Sequence, residues 1–352
     1  MSSSLISRSL LRRRFETVFR STRNSPARVF PQMCVTPRKG ERNLGVPTAL
    51  DRLIQQAIAQ VLTPIFDPTF SEYSYGFRPT RSAHQAVRQA RGYVAEGYEW
   101  AVAVDLDKFF DRVNHDKLMA RVARRVHDRR LLRLIRRYME AGIMVDGVKL
   151  GVEEGTPQGS PLSPLLANIM LDDLDRELEW RGHRFVRYAD DLRIHVRSER
   201  AGERALVGIA RFIERRLKLK VNREKSSVKN ANQATILGFG FHRRDGEVRI
   251  RIAPKAMERL HQRVRELTAR TRSIAMEERI RLLNGYMTGW GNYFGLAETP
   301  TTFERIDSWL RHRLRQVRWT EWKRPMARQH NLVVLGISPH DARRWAGSGK
   351  GP

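Results

Sequence analysis

Three aspartates, Asp105, Asp190 and Asp191, stand where the sequence predicts a strand end and a tight turn. Divalent cations prefer such hard oxygen ligands, and two cations can bridge an attacking hydroxyl, a phosphate and its leaving group. Asp105 directly follows the apolar, partly β-branched run Trp100–Val104, which predicts a strand ending at this carboxylate. These residue types indicate phosphoryl transfer, provided that the fold brings the three aspartates together.

The other two aspartates lie between residues 185–188 and 192–196, which alternate apolar with polar or long side chains. Such alternation predicts two strands with one buried face each, and residues 189–191 then form the turn between them. If these strands neighbour the one before Asp105 in a sheet, the carboxylates repel each other and cations relieve the repulsion. An Asp-Asp pair alone usually marks a solvated loop, because Asp favours turns.

A segment rich in Gly, Pro and small hydroxyls, residues 155–164 (GTPQGSPLSP), precedes a predicted helix at 162–180. Such rigid turns allow close backbone approach to a ligand. The alternative is an ordinary loop with a proline at a helix start.

The 352 residues carry 66 Lys and Arg against 38 Asp and Glu, a formal net charge of +28. An excess of this size indicates a polyanionic partner, and nucleic acid is favoured over a membrane surface.

The single Cys34 excludes a disulfide framework and a Cys-rich zinc site, and no apolar run is long enough to cross a bilayer. A reducing, cytoplasmic location is therefore expected. Residues 2–23 have the Ser- and Arg-rich composition of a transit peptide, although a basic arm or a truncated start is preferred.

Apolar spacing divides the chain into a mixed α/β part and a basic, helical part. Helices are predicted at 49–62, 118–126, 130–141, 162–180 and 201–217, and then at 257–268, 277–293 and 303–322. Residues 235–242 and 248–252 are predicted strands, joined by a turn at the dipeptide Asp245-Gly246. The change from the mixed part to the helical part is predicted at about Pro254.

Three motifs together resemble the signature motifs of reverse transcriptases, in both order and spacing. They are VDLDKFFD at 104–111, PQGSPLSP at 157–164 and YADD at 188–191. The resemblance implies an α/β (α+β) right-hand polymerase, with fingers, an antiparallel palm sheet and a helical thumb. The implied organisation is a basic arm or truncated fingers at 1–36, fingers and palm at 37–253, a helical thumb at 254–325 and a tail at 326–352.

Further motifs resemble one branch of that family, the bacterial group II intron reverse transcriptases. LGVPT at 44–48 and YGFRP at 75–79 are similar to its fingers, and NGY at 284–286, GWGNYF at 289–294 and WLRHRLR at 309–315 are similar to its maturase-specific thumb. The resemblance runs from about residue 37 to residue 324. It departs at the start, where only a shortened N-terminal region precedes the fingers, and at the end, where no endonuclease domain is expected.

The resemblance assigns metal binding to Asp105, Asp190 and Asp191, around two Mg²⁺ ions for which Mn²⁺ is a possible substitute. Asp105 and Asp190 are expected to be direct ligands, with the Leu106 carbonyl as a further one. Lys225 is expected to lie near the pyrophosphate and to act as an acid.

Substrate-binding roles are also implied. Phe110 is expected to exclude a 2′-hydroxyl from the incoming sugar, with a core aromatic beside Phe109 as the alternative. Basic fingers residues are expected to hold the triphosphate, unless they are only surface charges, and these are Arg42, Arg38 and Lys39.

Two further assignments concern the nucleotide and the primer. Gln158 is expected to contact the incoming nucleotide near its sugar. Leu237, Gly238 and Phe239 are expected to form a primer-gripping hairpin, although the same residues also predict a simple strand with a glycine bend.

The expected function is RNA-directed DNA synthesis, with an RNA template, a DNA or RNA primer, deoxynucleoside triphosphates and group II intron RNA as partners. No membrane partner is expected, and the oligomeric state is left open. One alternative is a non-catalytic RNA-binding splicing factor. Another is a related reverse transcriptase serving repair, diversity generation or CRISPR adaptation. A third is a helical nucleic-acid-binding protein with an incidental Asp-Asp pair, which does not explain the motif order.

Overall fold

The computed structural model describes residues 29–32, 44–140, 143–145, 148–150, 160–272 and 274–347. Arg38, Lys39, Arg42 and Gln158 lie outside these residues. The chain divides into two compact units, which meet between Ala231 and Asn232. The units are called here the first unit and the second unit.

The first unit contains helices around an antiparallel sheet. Its elements are β1 (Val29–Gln32), β2 (Leu44–Pro47), α1 (Ala49–Phe66), α2 (Ala83–Ala95), β3 (Trp100–Val104), α3 (His115–Ala123), α4 (Arg129–Glu140), β4 (Ile143–Val145), β5 (Val148–Leu150), α5 (Ser163–Trp180), β6 (Arg184–Tyr188), β7 (Asp191–Val196), α6 (Glu199–Phe212) and β8 (Ser227–Asn230). Two short pairs, β1 with β2 and β4 with β5, lie apart from the main sheet.

The main sheet has four strands in the order β6-β7-β3-β8, and every neighbouring pair is antiparallel. This arrangement confirms the predicted antiparallel palm sheet. Strand β6 contains aromatic and β-branched side chains, which favour strands, and Phe185, Val186 and Arg187 are all buried. The prediction of a single buried face was therefore wrong for β6, because helices α2 and α5 both pack against it. Helix α5 presents apolar residues along nearly its whole length to the core of the unit, including Leu166, Met170 and Leu174.

Helix α2 was not predicted. Ser82 caps it by accepting a hydrogen bond from the Gln85 backbone N–H, while the Gln85 side chain accepts one from the Ser82 backbone N–H. This capping box satisfies two otherwise unpaired donors at the helix start. Gly92 and several polar residues weaken the apolar periodicity of the helix, which explains why spacing alone does not reveal it.

The second unit consists of a small sheet followed by helices: β9 (Thr235–Ile236), β10 (Phe239–Arg244), β11 (Glu247–Ile252), α7 (Pro254–Leu267), α8 (Met276–Phe294), α9 (Pro300–Glu321), α10 (Pro325–Val334) and α11 (Pro339–Ala346). Asp245 and Gly246 both have positive φ and form the predicted turn between β10 and β11.

The region predicted as a tail folds into α10 and α11. Each helix begins with a proline, which suits the first helical position because its missing N–H would be unpaired there. Leu332 and Ala342 pack with Trp319 in a small buried cluster. Both helices are too short and polar for apolar spacing to predict them.

Candidate active site

The palm sheet brings the three aspartates to one end of its central strands. Val104 of β3 pairs with Leu192 of β7, so one further residue along each strand places Asp105 opposite Asp191. Tyr188 pairs with Asp191 across the β6–β7 hairpin. The turn is therefore Ala189-Asp190 alone, and the prediction that Asp191 also belongs to the turn was wrong, because Asp191 already completes a strand pair.

The aspartates repel each other at this end of the sheet. Burial raises the pKa of Asp191 above its ordinary value, and the negative charges of Asp190 and Asp105 raise it further, while Arg193 opposes the shift. Arg193 forms an ion pair with Asp191. The site therefore concentrates negative charge that one arginine neutralises only in part.

The backbone around Asp105 is held by the segment before β8. The Asp105 N–H donates to Ser226 Oγ at 3.1 Å, and the Asn222 N–H donates to the Asp105 carbonyl at 2.8 Å. The Asp107 N–H donates to the Lys220 carbonyl at 2.8 Å. Ser226 and Asn222 were not identified from the sequence, because each supports Asp105 from more than a hundred residues away along the chain.

These contacts also locate two of the predicted site residues, Leu106 and Lys225. The bonds of Asp105 and Asp107 flank Leu106 without using its carbonyl, while its side chain is buried. Lys225 is exposed in the turn next to Ser226, and its backbone N–H donates to Asn222 Oδ1 at 3.2 Å. The structure therefore brings the Lys225 turn to the Asp105 backbone.

The donors at this site are all oxygen atoms, which suits Mg²⁺ better than a softer metal. Within the part of the chain that the structure describes, no three His, Cys, Asp or Glu side chains are arranged as a ready-made metal site. Burial first, and then the charges of Asp190 and Asp105, raise the pKa of Asp191, and a bound divalent cation would stabilise the ionised carboxylate against both effects. The residues present therefore fit such a cation chemically.

Two neighbouring aromatic residues follow the Asp105 segment and differ in exposure. Phe109 is buried in the core, whereas Phe110 is only partly buried at the edge of that core. Their rings meet edge to face, with centroids 5.1 Å apart. Phe110 is thus partly accessible to a ligand, and the buried Phe109 ring packs against it.

The predicted rigid segment is described only from Ser160 onward. Ser160 is buried and donates a hydrogen bond to Gln55 of α1, while the Leu162 N–H donates to Ser160 Oγ at 3.3 Å. These bonds fix the start of α5.

The predicted primer-gripping residues lie in the second unit. Leu237 and Gly238 have φ values of 51° and 84° and bend the chain between β9 and β10. The Tyr293 hydroxyl donates to the Leu237 carbonyl at 2.8 Å, and Phe239 is fully buried against Tyr293 and Phe294. The bend is therefore built into the core of its own unit.

A basic cavity lies among the helices of the second unit. Its volume is about 630 Å³, and its lining residues are Arg270, His312, Gln316, Trp319, Thr320, Lys323 and Arg328. No acidic residue occurs among these described lining residues. Near it, burial and the charges of Arg270 and Arg265 lower the pKa of Arg313. Such crowding of like charge favours an anionic ligand.

Two family models match the chain. Residues 34–241 match the model for reverse transcriptase (RNA-dependent DNA polymerase). Residues 257–333 match the model for the group II intron, maturase-specific domain. The first match covers the palm sheet, and the second covers most of the helical part of the second unit and ends before α11.

Two curated proteins are similar to parts of the chain. Protein YkfC of Escherichia coli is 32% identical over 251 residues, which cover 59% of this chain and 66% of that protein. The group II intron-encoded protein LtrA of Lactococcus lactis is 38% identical over 138 residues, which cover 39% of this chain and 23% of that protein. The match therefore spans just under two thirds of the first relative and less than a quarter of the second.

The fold is also similar to that of a solved structure, apo telomerase from Candida tropicalis. The TM-score is 0.50 at 12% identity, over 66% of this chain and 52% of that chain. Among the described residues, no helix is both long and apolar enough to span a bilayer.

Proposed function

Because the chain belongs to the reverse transcriptase family and carries a group II intron maturase-specific domain, we propose that it copies RNA into DNA at the end of its palm sheet. The observation that carries this proposal is the strand register that sets Asp105 opposite Asp191, with Asp190 in the adjoining turn. Reverse transcriptases generally use divalent metal ions, and the crowded carboxylates suit them.

Asp105 and Asp190, with the Leu106 carbonyl, would hold two Mg²⁺ ions, for which Mn²⁺ is a substitute. When bound, such ions activate the attacking hydroxyl and stabilise the charge on the phosphate and leaving group. Asp191 completes the negative charge of the site and is oriented by Arg193. Lys225, exposed beside Ser226, supplies a proton to the departing pyrophosphate.

The remaining residues position the substrates. The exposed face of Phe110 packs under the incoming sugar and excludes a 2′-hydroxyl. Arg38, Arg42 and Gln158 hold the triphosphate and the sugar, an assignment that rests on the family resemblance alone. Leu237, Gly238 and Phe239 hold the primer end.

The substrates are an RNA template, a DNA or RNA primer and deoxynucleoside triphosphates, in the bacterial cytoplasm. We also propose that the fingers and palm span residues 37–253 and that the thumb spans residues 254–325.

A second role, binding of intron RNA to assist splicing, is supported by the acid-free basic cavity of the second unit. Arg270, Lys323 and Arg328 would bind phosphates there, and the Trp319 ring offers an apolar surface beside them. Phosphate binding of this kind has little dependence on base sequence.

Primer extension tests the proposed activity. The purified chain would be incubated with a primed RNA template, deoxynucleotides and Mg²⁺, beside an Asp190→Ala/Asp191→Ala variant. We expect extension by the parent and none by the variant, with RNA binding retained by both. Equal extension by both proteins would refute the proposal, and absence of extension by both would favour the splicing-factor alternative.

A further inference from the structure

Arg187 and Asp175 form a buried ion pair next to the candidate active site. The Arg187 side chain is 1% exposed and the Asp175 side chain is not exposed at all. Arg187 Nε lies 2.7 Å from Asp175 Oδ1, and Nη2 lies 2.5 Å from Oδ2. Burying two charges costs several kcal/mol per ion before their attraction is counted, so such a pair contributes little net stability. Its role is better sought in what it positions.

The remaining donor of Arg187 reaches the catalytic turn. Nη1 donates to the Ala189 carbonyl at 2.8 Å and to Asn168 Oδ1 at 2.9 Å. Ala189 has a φ of 57°, which is unfavourable for a residue with a Cβ atom. The guanidinium therefore holds the strained residue immediately before Asp190, while Asp175 fixes the guanidinium from the other side.

Gly76 packs closely against the backbone of the same turn. Its carbonyl accepts a hydrogen bond from Asn168 Nδ2 at 2.9 Å. A Cβ atom added to Gly76 would lie 2.2 Å from the Ala189 nitrogen and 2.9 Å from the Tyr188 carbonyl carbon. Only glycine permits this approach, since both neighbours are backbone atoms.

The segment that carries Gly76 is itself bound to β6. The Tyr75 N–H donates to the Arg187 carbonyl at 2.8 Å, and the Arg187 N–H donates to the Tyr73 carbonyl at 2.9 Å. Arg78 closes the loop by donating to Asp67 Oδ1 at 2.7 Å and to the Ser74 carbonyl at 2.9 Å. The sequence motif at 75–79 thus forms a backbone support for the turn.

We propose that Arg187, held by Asp175 and Asn168, is a positioning residue that sets the Ala189-Asp190 turn for binding of divalent cations, with Gly76 packed against the backbone of the same turn. This inference rests on the proposed function, because it concerns the same carboxylates. Arg187 does not touch the substrate and acts only through the backbone of the turn. Lysine cannot replace it, since a single ammonium group cannot bind a carboxylate with two parallel bonds and reach two further acceptors.

Two measurements test the proposal: the extension rate against Mg²⁺ concentration, and the binding of Mn²⁺ to the protein with primed RNA, followed by electron paramagnetic resonance without deoxynucleotides. Arg187→Lys keeps the positive charge but loses the planar guanidinium that makes two parallel bonds to Asp175. We expect its half-saturating Mg²⁺ concentration to rise by about tenfold to a hundredfold, the usual effect of removing a residue that orients a metal ligand. Its affinity for primed RNA should stay unchanged. A purely structural role would lower the amount of folded protein without moving the Mg²⁺ dependence.

Asp173→Asn is the matched control. Asp173 lies on the same helix, α5, and forms ion pairs with Arg121 at 2.7 Å and Arg124 at 2.9 Å, away from the turn. Its loss removes one charge from a partly buried pair, and the Mg²⁺ dependence should remain that of the parent. A second variant, Gly76→Ala, displaces the turn without altering the ion pair and should reproduce the effect of Arg187→Lys.

The outcomes are separable. If the parent extends primers and both Arg187→Lys and Gly76→Ala keep its Mg²⁺ dependence, the positioning role is refuted and the proposed function stands. If Arg187→Lys does not fold, the Mg²⁺ dependence of Gly76→Ala decides: a raised half-saturating concentration supports positioning of the turn, and the parental value refutes it. If the parent itself fails to extend, the proposed function fails first.

Discussion

Arg193 pairs with Asp191, which lies two residues before it on the same face of β7. The positive charge lowers a pKa that burial and the neighbouring Asp190 and Asp105 raise. Arg193→Ala should therefore raise the pKa of Asp191 further. We expect the acidic limb of the extension-rate profile to move to higher pH, because the protonated carboxyl cannot serve a cation site.

A control separates this effect from a general loss of charge. Arg197 directly follows β7, and its guanidinium carbon lies over the Tyr98 ring, 4.9 Å from the ring centroid. Arg197→Ala should leave the acidic limb in place. If both variants gave the parental profile, Arg193 would not control the ionisation of Asp191.

Phe110 is expected to determine the choice of sugar. Phe110→Ala would open space under the incoming nucleotide and relax discrimination against ribonucleotides by about tenfold or more, a range typical of selection by steric fit. The measurement is the ratio of kcat/KM for a deoxynucleotide to that for its ribonucleotide. Phe109→Leu, in the buried neighbour, should lower thermal stability and keep the ratio. An unchanged ratio in Phe110→Ala would show that the residue is only a core aromatic.

His195 makes the stability of the palm sheet depend on pH. Burial lowers its pKa from 6.5 to about 4, with a further contribution from Arg193. The folded protein therefore excludes a proton that the unfolded chain accepts. The free energy of unfolding is therefore highest above pH 6.5 with respect to this group. It falls by up to about 1.4 kcal/mol per pH unit as the pH decreases toward 4.

Replacement by an aromatic residue without a titrating group tests this statement. His195→Phe should flatten the decline of unfolding free energy between pH 6.5 and 4, measured by urea denaturation. His127→Phe, at an exposed position, should leave the decline unchanged. A parental slope in the His195 variant would place the pH dependence elsewhere.

The cavity of the second unit is expected to bind RNA phosphates. Arg270→Ala should weaken RNA binding and reduce the slope of log K against log salt concentration by about one, because one phosphate contact is lost. Arg281→Ala is the control, since Arg281 is exposed in the same unit and already paired with Glu278 at 2.7 Å. Equal slopes in the two variants would contradict the assignment.

The sequence indicates the palm because its signals are local. The apolar and alternating runs of β3, β6 and β7 each identify a strand, and the three aspartates are adjacent to these strands in the sequence. Helix α2 lacks such a signal, although its Ser82-to-Gln85 capping box is visible in the sequence. The helices beyond Pro325 depend on packing around Trp319, which no local pattern reveals.

The support of the site could not be predicted for a related reason. Ser226 bonds to the backbone of Asp105, far away in sequence, and Arg187 joins Asp175 of α5 to the Ala189 carbonyl. Neither residue is distinguished from other polar residues by the local sequence. Their partners follow only from strand register and from the burial of Asp175 beneath the hairpin. Long-range register is set by the whole sheet, so motif spacing gives the carboxylates but not the network that holds them.

The most direct test of the active-site assignment is single-nucleotide incorporation on a primed RNA template by the parent and by Asp105→Asn, with RNA affinity measured on the same preparations. The amide keeps the size of the side chain and removes its charge. We expect the incorporation rate to fall by about a thousandfold, corresponding to several kcal/mol of lost cation-mediated stabilisation, at unchanged RNA affinity. Incorporation by Asp105→Asn at the parental rate would contradict the assignment of the active site to the end of the palm sheet.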